Sequence, residues 1–300
     1  MMNQTIIIFG EVLFDCFPDG NNVLGGAPFN VAWHLQAFGI SPLFISRVGN
    51  DSYGESIKKA MKDWGMNLDY LQTDSHNSTG IVSVNLIDNE PHYDIVESSA
   101  YDFIEFSNIP DLPQNSILYH GTLARRNTNS AITLEQIKKS ISPSIFFDVN
   151  LRSPYWDLNT IESLLKNTSW LKLNEEELSL IVPHESNINN RINYLFSVFP
   201  LNQIILTQGK AGATLFTSDN INQHISPSQT TTIVDTVGAG DAFCSVLLLG
   251  ILKNWDVSTT LTRAQQFASA IVGIQGATSD DRSFYQGFLK QWEISTMDNG

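Results

Sequence analysis

Between Asp235 and Asp241 the chain reads Asp-Thr-Val-Gly-Ala-Gly-Asp and passes without a break into the apolar run AFCSVLLLGIL. Glycine weakens a helix, and a carboxylate at the edge of a core costs more, so folding alone does not explain this spacing. Set before a helix, Gly238, Ala239 and Gly240 let backbone N–H groups point outward together, and the helix N-terminus adds partial positive charge. The result is an anion cradle. Asp241 falls in the first turn, where the helix dipole favours its ionised form. A carboxylate beside a held phosphoryl group is placed to accept a proton from a hydroxyl. An Asp-capped helix after a tight turn would use the same residues without chemistry. The Asp235-Thr236 pair upstream tips the balance towards chemistry.

Other polar residues stand at similar places. Gly25 and Gly26 precede a helix that carries Asn30, so a ligand can approach the backbone while the amide donates and accepts hydrogen bonds. Val31, Leu35 and Phe38 of that helix form an ordinary core stripe. Asp15 closes the strand-like run GEVLFD. Asn150 and Arg152 follow the apolar Phe146-Phe147 at the carboxyl end of a buried strand, where open α/β sheets bind ligands. Asn174 with Glu177 three residues on has the form of a capping box, which needs no further role. Thr207, Gly209 and Gly212 lie in a turn between two strands. The histidines lack metal-ligand spacing and are assigned to structure.

These residues are positioned by apolar runs of strand length alternating with amphipathic runs of helix length. TIIIFG, SPLFISRVG, SILYHG, SIFFDVN, SWLKLN, NQIILTQG and GATLFTS read as strands. APFNVAWHLQAFG, DSYGESIKKAMKDWG, SAITLEQIKKSI, IESLLKN and NEEELSLI read as helices, and the C-terminal third is helical from Ala239. Strands apolar throughout and separated by helices predict a doubly wound, mostly parallel α/β sheet with helices on both faces. GIVSVNLID and HYDIVESS instead alternate like half-exposed strands around the turn signal DNEP. They predict a small β lid, drawn from about residues 12–25 and 67–104, on a single domain spanning 1–300. Lid hairpins with alternating apolar faces pair between subunits, so a homodimer through the lid is expected.

The 300 residues carry a formal net charge of −14, with 42% hydrophobic and 16% charged residues. That acidity argues against nucleic acid or an anionic membrane as partner. The N-terminus lacks the basic region of a signal peptide, and AFCSVLLLGIL is too short to span a bilayer. Cys16 and Cys244 sit in apolar segments without metal spacing and read as buried thiols of a reducing, cytoplasmic compartment.

DTVGAGDAF resembles the C-terminal signature of the PfkB-type carbohydrate kinases, the ribokinase-like family, and GGAPFNVAWHLQAFG resembles its N-terminal signature. The resemblance implies an ATP-dependent kinase that phosphorylates a primary hydroxyl of a small sugar, with Asp241 as base and Gly238 to Gly240 as anion hole. Asp15, Gly25, Gly26 and Asn30 would bind the sugar, and Arg152 would neutralise the moving phosphoryl group or hold the sugar. Asn174 and Glu177 would order Mg²⁺ through water, and Thr207, Gly209, Gly212 and Gly240 would line the nucleotide site. Asp235, with the backbone at Val237 and Gly276, would hold a monovalent cation such as K⁺. No Lys-Ser/Thr follows the glycines, so this is not a Walker loop and phosphate charge falls to backbone and Mg²⁺.

The segment FFDVNLRSPYW looks closest to fructokinases, so fructose is the first expected substrate. Two segments depart from that pattern. NEPHYDIVESSAYDFI lacks the F-Y-R of many fructokinases, and YHGTLARRN replaces the more usual G-S. They leave 2-keto-3-deoxygluconate, ribose or a nucleoside open as acceptor, and a catalytically silent sugar-binding regulator as the alternative of another class. A nicotinamide oxidoreductase is excluded, because no G-x-G-x-x-G follows the first strand.

Overall fold

The computed structural model describes residues 4–87, 90–219, 221–227 and 233–294. Asp88 and Asn89 of the DNEP turn signal lie outside them. The strands are β1 (Thr5–Phe9), β2 (Leu13–Cys16), β3 (Asn22–Gly25), β4 (Leu43–Gly49), β5 (Leu71–Asp74), β6 (Gly80–Ile87), β7 (Glu90–Ile95), β8 (Ser116–His120), β9 (Ser144–Asp148), β10 (Trp170–Asn174), β11 (Gln203–Thr207), β12 (Ala213–Thr217) and β13 (Asn222–Ile225). The helices are α1 (Ala27–Ala37), α2 (Ser52–Trp64), α3 (Thr128–Ile141), α4 (Leu158–Leu165), α5 (Glu175–Ile181), α6 (Ile188–Val198), α7 (Ala239–Lys253), α8 (Val257–Val272) and α9 (Arg282–Gln291).

Nine strands form one sheet in the order β13-β12-β11-β10-β9-β8-β1-β4-β5, parallel except at the β11–β12 and β12–β13 pairs. Side chains alternate across it. Ile6 and Ile8 of β1 enter the core shared with α1, α7 and α8, and Ile7 and Phe9 enter the core shared with α3, α4 and α6. Both faces are thus covered, as the continuous apolar strands require. The chain winds one way from β1 through β4 to β5 and the other way from β8 onward, so the strand order reverses at β1. Ligands of such sheets bind beyond the carboxyl ends of the strands beside that reversal.

A second sheet of four strands, ordered β3-β2-β6-β7, is built from both segments assigned to the lid. Within the 67–104 stretch, β5 pairs instead with β4 in the large sheet. The run GEVLFD is broken off from β1 and supplies β2 of the small sheet, with Asp15 one residue from its end. The break comes at Gly10, where any side chain would collide with the Pro28 ring of α1, so that helix packs against the end of β1 and the chain turns away.

Asp51 joins the lid to the body. Its carboxylate caps α2 through the Gly54 N–H at 2.8 Å, and accepts from the Thr79 N–H at 2.8 Å and hydroxyl at 2.7 Å just before β6. Asp51→Ala is expected to lower the unfolding free energy by about 2 kcal/mol, read as a reduced denaturation midpoint at unchanged slope.

Candidate functional site

Glycines and polar residues, several of them singled out in the sequence, gather along the carboxyl ends of the central strands. Gly10 and Glu11 follow β1, Gly121 and Thr122 follow β8, Asn150 and Arg152 follow β9, Asn174 ends β10 and Thr207 ends β11. The N-termini of α1 and α7 meet there: the Asn30 amide donates to Asp241 Oδ2 at 2.8 Å across 211 positions of sequence. Gly238 caps α7 at φ 78°, and a side chain there would collide with Ala277. Only glycine allows that approach in that conformation. Gly238, Ala239, Gly240 and Asp241 remain partly exposed, so the turn opens outward instead of lying beneath packed side chains.

Ala277 belongs to a loop that several groups hold in place. Asp235 accepts the Val237 N–H at 3.0 Å and the Gly276 N–H at 3.1 Å. Gly276 therefore turns its N–H, not its carbonyl, to Asp235. His34 lies between the Tyr285 hydroxyl at 3.0 Å and the Ala277 carbonyl at 3.1 Å, and Trp33 donates to the Ser279 carbonyl at 2.8 Å. Burial lowers the His34 pKa to about 3, in keeping with a neutral, structural imidazole.

Beneath the glycine turn lies an ion pair that sequence reasoning missed. Lys172 Nζ of β10 stands 3.0 Å from Asp148 Oδ1 of β9, and 3.3 Å from where a Cβ on Gly240 would be. Tyr119 and Cys244 both donate to Asp148 Oδ2, at 3.1 and 3.3 Å. Burial opposes the Lys172 ammonium, yet the charge of Asp148 outweighs it and holds the group above its usual range. A lysine and an aspartate inside otherwise apolar strands were the available signal. Cys244 is buried as expected, whereas Cys16 is only half-buried, 3.6 Å from the Tyr53 hydroxyl.

Asp241 departs from the expectation of a simply dipole-favoured carboxylate. Burial raises its pKa to about 6; the Asn30 hydrogen bond opposes this, Asp148 adds to it, and Lys172 and Arg152 draw it back. The group is still mostly ionised at neutral pH. Arg152 is exposed, but its charge also acts on Asp15 and Glu11. Burial likewise raises the Asp15 pKa, and its Oδ2 lies 3.6 Å from where a Gly25 Cβ would be.

Asn174 and Glu177 form the capping box in full: the Asn174 side chain accepts the Glu177 N–H at 2.8 Å, and Glu177 Oε2 accepts the Asn174 N–H at 2.8 Å. Glu177 Oε1 also accepts the Leu151 N–H at 2.9 Å, bracing the loop that carries Arg152. Gly209 and Gly212 take φ 54° and 103° in the turn after Thr207, where β13 closes against Gly212. The two departures from the fructokinase pattern meet in space. Arg126 donates to Asp102 through Nε and Nη2, both at 2.8 Å, and through Nη2 to the Val96 carbonyl at 2.6 Å.

Comparison with known proteins identifies the family. Residues 12–283 match the pfkB family carbohydrate kinase profile. The chain is 31% identical over 269 residues to a fructokinase of Klebsiella pneumoniae, covering 83% of this chain and 85% of that one. It superposes on the apo fructokinase of Vibrio cholerae O395 with a TM-score of 0.78 at 27% identity, covering 91% and 98% of the two chains. A sugar kinase of Pyrococcus horikoshii in complex with ATP gives 0.79 at 26% identity, covering 95% and 97%. The chain belongs to the pfkB family of carbohydrate kinases. It is a sugar phosphotransferase, and its fold is the ribokinase-like one. Among the described residues no helix is long and apolar enough to cross a membrane.

Removing one member of a buried ion pair strands the other charge, so Lys172→Met is expected to lower the unfolding free energy by about 3–5 kcal/mol. The double variant Lys172→Met/Asp148→Asn should recover most of that loss in the same denaturant titration.

Proposed function

We propose that this kinase transfers the γ-phosphoryl group of ATP to a primary hydroxyl of a small sugar, with fructose as the leading acceptor, and that Asp241 is the catalytic base. The observation that carries this reading is the Asn30–Asp241 contact at 2.8 Å, which fixes a mostly ionised carboxylate at the mouth of the glycine turn. Asp241 takes the proton of the attacking hydroxyl as its oxygen bonds to the γ-phosphorus and the bond to the ADP oxygen breaks. Charge on the moving group is met by backbone N–H groups of the Gly238–Gly240 turn, with Arg152 and the Lys172 ammonium nearby.

Asp15, Gly25, Gly26 and Asn30 orient the sugar. Thr207, Gly209 and Gly212 flank the nucleotide, along the same strand ends. Both Glu177 oxygens already accept backbone N–H groups, so Glu177 and Asn174 suit Mg²⁺ held through water. When bound, Mg²⁺ neutralises phosphate charge. The N–H groups of Val237 and Gly276 are spent on Asp235, so K⁺ would be held by an Asp235 lone pair together with the carbonyls of those two residues. The small sheet serves as a lid that excludes water from the transfer, and its exposed Tyr93 and Val96 favour a homodimer through the lid. Buried Cys244 accords with a cytoplasmic enzyme.

Asp241→Asn is expected to lower kcat by roughly 10²–10⁴ while leaving the sugar KM nearly unchanged. A coupled ADP-release assay over sugars, sugar acids and nucleosides, with and without K⁺, ranks the acceptors. Normal turnover by the Asn variant overturns the assignment, and sugar binding without any ADP release by the parent enzyme points to a silent regulator.

A further inference from the structure

Around Glu11, whose charge is felt by Tyr101 and which itself feels Arg126 and Asp241, four buried polar atoms have no hydrogen-bond partner: Glu11 Oε2, Asn30 Oδ1, the Tyr101 hydroxyl and Arg126 Nη1. Glu11, Asn30 and Tyr101 are 3%, 4% and 0% exposed, so water does not satisfy them at the surface. An unsatisfied buried polar atom costs about 1–3 kcal/mol, and four in one neighbourhood are not an accident of packing.

Their positions come from different elements. The Glu11 carbonyl lies 2.7 Å from where a Gly26 Cβ would be, which sets Glu11 against the entrance of α1 four residues before Asn30. Tyr101 reaches the lid, its Cε1 lying 2.5 Å from where a Cβ on Gly80 of β6 would be. The Arg126 guanidinium carbon lies 5.2 Å from the Tyr101 ring centroid and 4.6 Å from that of Tyr155. Electrostatics tie the group together: the charges of Arg152, Asp241 and Arg126 all act on Glu11, and those of Arg126 and Glu11 act on Tyr101.

We propose that Glu11, Tyr101 and Arg126 form the end of the acceptor pocket remote from the transferred hydroxyl, and that they select a neutral polyhydroxylated sugar over a sugar acid. This rests on Asp241 marking the acceptor site. Arg126 Nη1 is a donor, Asn30 Oδ1 and Glu11 Oε2 are acceptors, and the Tyr101 hydroxyl is both. Neighbouring sugar hydroxyls, each able to donate and accept, satisfy such a mixed set. A carboxylate only accepts.

The charge balance points the same way. Asp102 already neutralises Arg126 through two hydrogen bonds at 2.8 Å. The single cation Arg152 then faces the carboxyl groups of Glu11, Asp15 and Asp241, so negative charge is in excess there. An anionic acceptor would enter against like charge. The sequence departures in the lid and in YHGTLARRN are then one adaptation, since Arg126 from the second is fastened to Val96 of the first.

The test is calorimetric titration of the full chain, without nucleotide, with D-fructose and with 2-keto-3-deoxygluconate, on the parent, Glu11→Gln and Tyr101→Phe. Both substitutions keep side-chain shape, and thermal melting verifies folding. The parent is expected to bind fructose at least about tenfold tighter than the acid, and each variant to bind fructose about tenfold more weakly, with the affinity for ATP unchanged in a separate titration. Unchanged fructose binding in both variants, or tighter binding of the acid by the parent, overturns the proposal. Binding is read without turnover, so a failure here is separate from a failure of Asp241→Asn to lose activity.

Discussion

The site depends on one hydrogen bond between two helices that begin at the same edge of the sheet. α1 offers Asn30 from its first turns and α7 offers Asp241 from its own, and their contact at 2.8 Å fixes where the carboxylate stands. Much of the surrounding structure keeps those N-termini together. Gly238 allows α7 to press onto Ala277, His34 of α1 reaches the same Ala277 carbonyl, and Asp235 pins the loop at Gly276. Without that clamp, a carboxylate whose burial disfavours its charge would have no fixed direction.

A second layer of charge lies under the turn and tunes it. Asp148 and Lys172 are a buried pair whose net charge is near zero, yet each acts on Asp241 with opposite sign. Their placement on neighbouring parallel strands sets the Lys172 ammonium beneath Gly240 on a rigid element, with Asp148 holding it in place. Glu177 performs a related task, linking the cap of α5 to the backbone of the Arg152 loop. The active edge is thus built from strand ends and helix starts, and loops contribute mainly through residues that those elements brace.

Much of this was legible in the sequence. The glycine turn with Asp241, the Gly25-Gly26 entrance with Asn30, and the capping box at Asn174 are contiguous signals whose local chemistry is readable without the fold. Continuous apolar strands alternating with helices gave the parallel sheet and its covered faces. What escaped has a common physical cause. β5 and β13 are four-residue edge strands, the latter largely polar, and neither carries a periodic pattern long enough to read. Glu11 and Lys172 are single polar residues within apolar runs, Tyr101 and Arg126 stand in polar loop sequence, and only tertiary packing reveals what each of them meets. The packing of Pro28 against Gly10, which separates β1 from the run that carries Asp15, is a long-range event.

The most direct check is the pH dependence of kcat/KM for the sugar, in the parent and in Asn30→Ala. The proposed base, Asp241, would act only when ionised, so activity should fall as pH is lowered through about 6. The Asn30 hydrogen bond holds that pKa down, so its loss should move the acidic limb to higher pH by about one unit. A profile flat from about pH 5 to pH 8 in the parent, or a limb that stays in place when Asn30 is replaced, would contradict the account.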